Sequence, residues 1–172
     1  MADKILHEGR FTRTVSRDGW EFIERKNCSG VVGIIAVTSD QCLLLVEQFR
    51  PPLNANVIEI PAGLVGDGEA GDTPSAAAER ELFEETGYKP QWIRHLVTGP
   101  TTTGLSSETI SIFVATDCTK QGAGGGVEGE SIVVHSVPIA SVAPFLLEQM
   151  SRGKVVDLKV WLAVGNLSMP VT

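Results

Sequence analysis

Apolar and polar residues alternate along much of the chain, and the solid apolar runs that interrupt the alternation are short. Trp20-Glu21-Phe22-Ile23-Glu24-Arg25 alternates with the period of two of a strand, after a turn at Arg17-Asp18-Gly19. Phe11, Thr12, Thr14 and Val15 read as a strand before that turn. Residues 30–37 and 42–49 are β-rich and joined by a turn at Ser39-Asp40; Val57 to Ile60 is a further short strand, stopped by Pro61. A Gly-rich loop spans residues 63–71. Thr73 and Pro74 then start a helix, as N-cap and first helical residue; residues 75–86 are strong helix formers, and Gly87 is a natural stop. Strands are predicted over residues 92–98, 109–115 and 131–137, with a Gly-rich loop over 121–129. Residues 138–152 and 155–167 read as helices, the second amphipathic. No repeat and no domain-scale linker appears. The pattern predicts an α/β (α+β) protein, with residues 1–30 as an N-terminal β appendage and 31–172 as the main domain.

Composition narrows the function. At 172 residues and 42% hydrophobic, the chain builds one well-packed core and is short for two. A net charge of −7 argues against broad binding to nucleic acid or anionic membranes. It leaves an anionic substrate open, because bound divalent cations can cover a cluster of carboxylates. Cys28, Cys42 and Cys118 are isolated, without C-x-x-C spacing, and read as small apolar residues in a reducing compartment. The N-terminus lacks a charged-then-apolar leader pattern and the longest apolar runs are strand-sized, so a cytoplasmic protein without membrane contact is expected. His7, His95 and His135 are scattered and read as structural or surface residues.

The chemistry concentrates in Arg80-Glu81-Leu82-Phe83-Glu84-Glu85-Thr86-Gly87. On a helix, Glu81, Glu84 and Glu85 stand at i, i+3 and i+4 and share a face, where they repel one another. A hard divalent cation such as Mg²⁺ takes oxygen ligands and cancels that crowding. Arg80 is placed to pair with one of them and fix its rotamer. Those three residues alone fit a solvated acidic face equally well.

The ordered context decides between the two. Pro61-Ala62-Gly63, then Gly68-Glu69, then Arg80 to Gly87 resembles the Nudix box, a Gly-rich loop followed by a helix bearing Arg-Glu-x-x-Glu-Glu-x-Gly. The spacing departs from that box in one place. Residues 70–79 make ten between Glu69 and Arg80 where seven is usual, so either Ala70-Gly71-Asp72 is a loop insertion or Asp72 replaces the Glu; the insertion keeps the earlier residues in their expected places and costs little. The resemblance implies the Nudix fold, a mixed β-sheet between helices with an N-terminal β extension. It also implies Mg²⁺ (Mn²⁺ as a substitute) held by Glu81, Glu84, Glu85 and the Ala62 carbonyl.

Beyond the box, the chain from Trp20 to the last helix looks most like the ADP-ribose and nucleoside-diphosphate-sugar pyrophosphatases of that family. Val46-Glu47-Gln48-Phe49-Arg50-Pro51 is similar to their strand before the box, and Thr14 to Trp20 followed by Arg25 to their segment that sets an aromatic on the base and an Arg near the phosphates. The loop Gly126-Val127-Glu128-Gly129-Glu130 sits where they carry an acid that acts on the attacking water; Glu130 is favoured over Glu128 for its place next to the following strand. The implied substrate-binding set is Trp20, Arg25, Arg50, Gly63, Leu64 and Glu108, and the implied catalytic set is Glu130, Glu128, Glu84 and Arg80. Members that prefer ADP-ribose often carry Pro 15 residues past the box, where this chain has Thr103, which favours a broader nucleoside-diphosphate-sugar activity. The only Tyr is Tyr88, so the Tyr marker of dinucleoside polyphosphate hydrolases is absent. The resemblance further implies a homodimer, with Trp20 acting across the interface. The other readings are hydrolysis of another diphosphate such as NADH, and a non-catalytic ADP-ribose sensor; the intact Glu81, Glu84 and Glu85 set speaks against the sensor.

Overall fold

The computed structural model describes residues 3–66, 72–127 and 129–168. Strands β1 (Lys4–Glu8), β2 (Thr12–Arg17) and β3 (Trp20–Arg25) form an antiparallel three-stranded sheet, with Asp18 and Gly19 at positive φ in the β2–β3 turn. β1 lies outside the sequence expectation. Its Lys-Ile-Leu-His-Glu carries two adjacent apolar residues instead of an alternation, and pairing with β2 recruits it.

The remaining strands form one nine-stranded mixed sheet: β4 (Gly30–Thr38), β5 (Cys42–Arg50), β6 (Ala55–Glu59), β7 (Ala62–Val65), β8 (Tyr88–Lys89), β9 (Trp92–Pro100), β10 (Thr109–Lys120), β11 (Val133–Pro138) and β12 (Val155–Val156). β4 is the axis. It runs parallel to β10, with Val31 opposite Ile110 and Ala36 opposite Ala115. Its start pairs antiparallel with β7 and its end with β5. β5 in turn carries β11 and β6, and β12 joins β6 in parallel.

The period of two sorts the core into two layers. Val32, Ile34 and Ala36 of β4, with Leu44 and Phe113, meet helix α1 (Pro74–Thr86) through Ala77, Ala78 and Leu82. The two alanines let the helix sit close to the sheet; Leu82 is fully buried, so truncating it to Ala would cost roughly 2–5 kcal/mol. The alternate residues Ile35, Leu43, Leu45, Ile58 and Ile112 face the other way, against Val142 and Leu146 of α2 (Val142–Ser151) and Val160 and Ala163 of α3 (Leu158–Ser168). The result is the mixed sheet between helices that the sequence implied.

α1 forms as read from its ends. Thr73 accepts a hydrogen bond from the Ala76 N–H at 3.2 Å, Pro74 opens the helix, and Gly87 closes it at φ 74°. Several boundaries differ from expectation, among them that β9 runs on to Pro100 and β10 to Lys120. Ala62–Val65, read from Gly63 on as loop, is strand β7, because the start of β4 offers it an unpaired edge. Pro138 ends β11, which starts at Val133, and Ile139–Ser141 is a 3₁₀ turn, so α2 begins only at Val142. Val155 and Val156 are strand, not helix: Asp157 accepts a hydrogen bond from the Lys159 N–H at 2.7 Å and starts α3 there.

Candidate active site: a cavity of carboxylates and paired cations

Beside the N-terminal half of β4, a cavity of about 530 Å³ gathers side chains from widely separated parts of the chain. α1 supplies Glu81 and Glu85, one turn apart; the β6–β7 corner supplies Glu59, Ala62, Gly63 and Leu64; β3 and β5 end in Arg25 and Arg50; the Gly-rich loop brings Glu130. Lys159 and Glu108 complete the charged wall.

Glu85 is the most buried of these acids, 5% exposed, and accepts a hydrogen bond from the Ala62 N–H at 3.1 Å. Burial, reinforced by the negative charges of Glu81 and Glu130, pushes its pKa up to about 8, against the opposing pull of the Ala62 bond and of Arg50. Glu81 is pinned by Arg80, whose Nη1 lies 2.8 Å from Oε1. The same guanidinium donates to Glu84 Oε2 at 3.2 Å and to the Leu64 carbonyl at 3.0 Å, and lies 3.5 Å from Asp72. Arg80 thus sets the acidic face of α1 against β7. Gly63 makes room for it: a Cβ there would fall 1.9 Å from Cδ of Glu81. Glu84 turns toward Arg80 and is not part of the cavity wall.

Glu130 arrives by a separate route. The last carbonyls of α1 accept backbone bonds from the Gly-rich loop, Gly126 N–H to Glu84 at 3.1 Å and Gly125 N–H to Glu85 at 2.8 Å. Gly87, in turn, accepts from Gln121 and Gly122. A Cβ on Gly124 would lie 2.4 Å from the Thr86 carbonyl carbon, so the loop can seat on the helix end only as glycine. It presents Glu130 toward Glu85, its carboxylate accepting the Val127 N–H at 3.0 Å. Glu128, the other candidate in this loop, lies outside the described residues, as do Gly68 and Glu69 of the box.

The cations are paired. Arg25 Nε is 2.6 Å from Glu108 Oε2, and Arg50 Nε is 2.7 Å from Glu59 Oε2. Glu59 is buried beneath its partner. Trp20 is set apart: its indole N–H donates to the Gly104 carbonyl at 3.0 Å, and the exposed ring lines a second cleft of about 440 Å³ with Phe22, Thr103 and Gly104. The cavity therefore unites Arg25, Arg50, Ala62, Gly63, Leu64, Glu81, Glu85, Glu108 and Glu130, and leaves Trp20, Arg80 and Glu84 outside its wall. Sequence reading missed Glu59 and Lys159. Asp157 before an apolar helix is a start signal that would have placed Lys159 on the first turn.

The donor set fits a hard divalent cation: carboxylate oxygens in excess, one of them buried among like charges. Among the described residues, no three acidic, His or Cys side chains are already drawn together as a cage. Arg80 instead supplies the counter-charge to Glu81 and Glu84.

The family model for the NUDIX domain matches residues 29–158. The chain belongs to the Nudix family. Hydrolases of this family use divalent metal ions. Among relatives, it is similar to a methanol dehydrogenase activator of Bacillus methanolicus, 33% identical over 141 residues, which cover 81% of this chain and 72% of that one. An ADP-ribose pyrophosphatase of Bacillus subtilis is 38% identical over 86 residues, 50% of this chain and 45% of that one. A GDP-mannose pyrophosphatase of Cronobacter sakazakii is 29% identical over 187 positions, 98% of this chain and 94% of that one. The fold is shared with the crystal structure of an ADP compounds hydrolase at TM-score 0.67 and 20% identity, over 85% of this chain and 80% of that one. No helix among the described residues is long and apolar enough to cross a membrane.

Proposed function

We propose that this Nudix protein is a Mg²⁺-dependent pyrophosphatase of nucleoside diphosphate sugars, of the ADP-ribose and ADP-glucose type, with Mn²⁺ able to substitute. One observation carries the reading. A buried Glu85 sits beside Glu81 and Glu130 in the same cavity as two guanidiniums, a site that binds phosphates and divalent cations together. Relatives named for hydrolysis of ADP-ribose and GDP-mannose support the substrate class.

Glu81, Glu85 and the Ala62 carbonyl would hold the metal, and Glu84 would join as a further ligand by leaving Arg80; the metal would neutralise the diphosphate and polarise its P–O bonds. Arg25 and Arg50 are held by Glu108 and Glu59 through Nε, and among the described residues their terminal N–H groups face the cavity open to phosphate oxygens. Glu130, with one oxygen on the Val127 N–H, orients a water and takes its proton as the water oxygen attacks phosphorus. The P–O–P bridge breaks, giving a nucleoside monophosphate and a sugar phosphate. Gly63 and Leu64 shape the wall on which the diphosphate lies, and Arg80 fixes the carboxylates.

Trp20 stacks on the base. Its separation from the cavity, at the far end of β3 from Arg25, favours a homodimer in which the base of one protomer's substrate meets the partner's indole. Exposed Ile5, Leu6, Phe11 and Trp20 on the N-terminal strands and loop support that interface. Residues 1–30 act as the dimerising unit, and three unpaired cysteines favour the cytoplasm. Incubation with Mg²⁺ and ADP-ribose, ADP-glucose, GDP-mannose, NADH and a diadenosine polyphosphate tests the reading. The expected result is AMP or GMP plus sugar phosphate, abolished by EDTA. Binding of ADP-ribose without turnover, or cleavage of the dinucleotides alone, would overturn it.

A further inference from the structure

The carbonyls of Glu84, Glu85, Thr86 and Gly87 all accept hydrogen bonds from the segment that begins at the end of β10. Gly126 N–H donates to Glu84 at 3.1 Å, Gly125 N–H to Glu85 at 2.8 Å, and Gln121 and Gly122 N–H to Gly87 at 2.8 and 2.9 Å. Thr86 lies between these and is met by a side chain: the Lys120 ammonium donates to its carbonyl at 2.8 Å. The same ammonium donates to the Ala123 carbonyl, inside the loop, at 3.0 Å. Lys120 thus bridges the seam, with one bond to the helix and one to the loop. Its backbone pairs with Tyr88 in the β10–β8 ladder, and its Nζ stands 5.0 Å from the centre of the Tyr88 ring, which aims it at that place. A cation there also meets the negative end of the α1 dipole.

The far end of the seam carries Glu130. A Cβ on Gly126, at φ 88°, would fall 2.5 Å from Oε2 of Glu130, so the carboxylate packs directly on that glycine. The same oxygen accepts the Val127 N–H, and the Glu130 N–H donates in turn to the Val127 carbonyl at 3.0 Å. Through Gly126 the place of Glu130 is tied to the backbone of the helix that bears Glu81 and Glu85. Resting on the assignment of Glu130 to the attacking water, we propose that Lys120 is a positioning residue for the reaction. By bridging Thr86 and Ala123 it keeps the glycine loop seated on α1 and so holds Glu130 facing Glu85. The loop needs such a bridge: four of residues 122–126 are glycine, the residue that loses most conformational freedom on ordering. A general base works only within hydrogen-bond reach of its water, so small excursions of the loop cost rate. They leave binding alone, because Lys120 does not line the cavity and its charge meets no substrate atom.

The test is a double-mutant cycle in the full chain, with ADP-ribose and Mg²⁺. Lys120→Met keeps the length of the side chain and removes its charge. It should lower kcat about tenfold while KM stays within about twofold, and Lys120→Arg should restore most of the loss. Glu130→Gln should lower kcat about a hundredfold, and adding Lys120→Met to it should cost no more than about a further twofold, because the two act as one unit. Hydrogen exchange followed by NMR reads the seam without turnover: the Gly125 and Gly126 amides should exchange about tenfold faster in Lys120→Met, with those of β4 unchanged. Wild-type kcat in Lys120→Met, a loss fully additive with Glu130→Gln, or unaltered exchange at Gly125 and Gly126 would overturn the positioning role and leave the pyrophosphatase reading intact. If Glu130→Gln turns over like the wild type, or the wild type cleaves no nucleotide sugar in Mg²⁺, the underlying reading fails and the role of Lys120 falls with it.

Discussion

Glu47 and Glu85 are buried to almost the same depth, 6% and 5% exposed, yet their protons are held in opposite ways. Burial alone would raise both. At Glu47 the hydrogen bonds from Lys154 at 2.6 Å and His135 at 3.0 Å outweigh burial and hold the carboxyl below its usual range. Asn56 satisfies the other oxygen at 3.2 Å. At Glu85 the neighbours are Glu81 and Glu130, and the pKa climbs to about 8. The first acid is complete within the fold, tying the loop after α2 to β5. The second has no such pair of partners among the described residues, and in the proposed mechanism a bound cation would take that place. Depth of burial says little about the purpose of a charge; the sign of what surrounds it says a great deal.

The sharpest way to break that contrast is Glu85→Gln. It should lower kcat with ADP-ribose by about three orders of magnitude, roughly 4 kcal/mol of transition-state stabilisation, while the fold survives. Turnover within tenfold of wild type would remove Glu85 from the chemistry. Trp20→Ala should raise KM for purine nucleotide sugars about tenfold with a smaller change in kcat, and steady-state kinetics that show equal KM would end the stacking role. On the other side of the comparison, Lys154→Met strips Glu47 of its closest cation. Because Lys154 is about a third exposed, the cost should be about 1–3 kcal/mol, a drop in melting temperature of several degrees and no loss of kcat.

The smallest effect is in the pH dependence, and its direction separates the two acids. Glu47 is held below its unfolded pKa, so its contribution is present above the usual carboxylate range and is lost as pH falls through the lowered folded value. Glu85 is raised to about 8 from 4.5, so the fold binds an extra proton between those values and loses stability as pH rises across that window. In EDTA, thermal melts of the wild type should therefore fall relative to Glu85→Gln between pH 5 and pH 8, by a few degrees. Parallel curves for the two proteins would show that Glu85 ionises without penalty. Added Mg²⁺ should reverse the slope.

The same contrast explains what could be read from the chain. α1 was legible in full, since its cap, its proline and its closing glycine are local signals, and so was the triad it carries. Arg25, Arg50 and Glu130 were reached only through the family resemblance, because nothing within a few residues of each marks it as part of one cavity. Glu59 acquires its meaning from the Arg50 side chain, which reaches along the β5–β6 pair to its carboxylate, and Lys159 from the cap at Asp157. β7 was hidden because a Gly-rich stretch reads as loop until the edge of β4 claims it. The far end of β10 was hidden by the irregularity between Ala115 and Cys118, past which the strand continues to Lys120.

The docking of the Gly-rich loop on α1 bears on how the chain comes to be assembled. During synthesis the acidic helix emerges well before its closing partners: Lys120, which bonds the Thr86 carbonyl at 2.8 Å, and the glycines after it. The parallel ladder of β4 with β10 likewise waits for a strand some eighty residues downstream. A nascent chain that ends before residue 126 thus holds the Nudix helix with its last carbonyls open and its acids unmatched by Glu130. The carboxylate cavity is therefore completed only once residues 126–130 have been made, far along a chain of 172 residues.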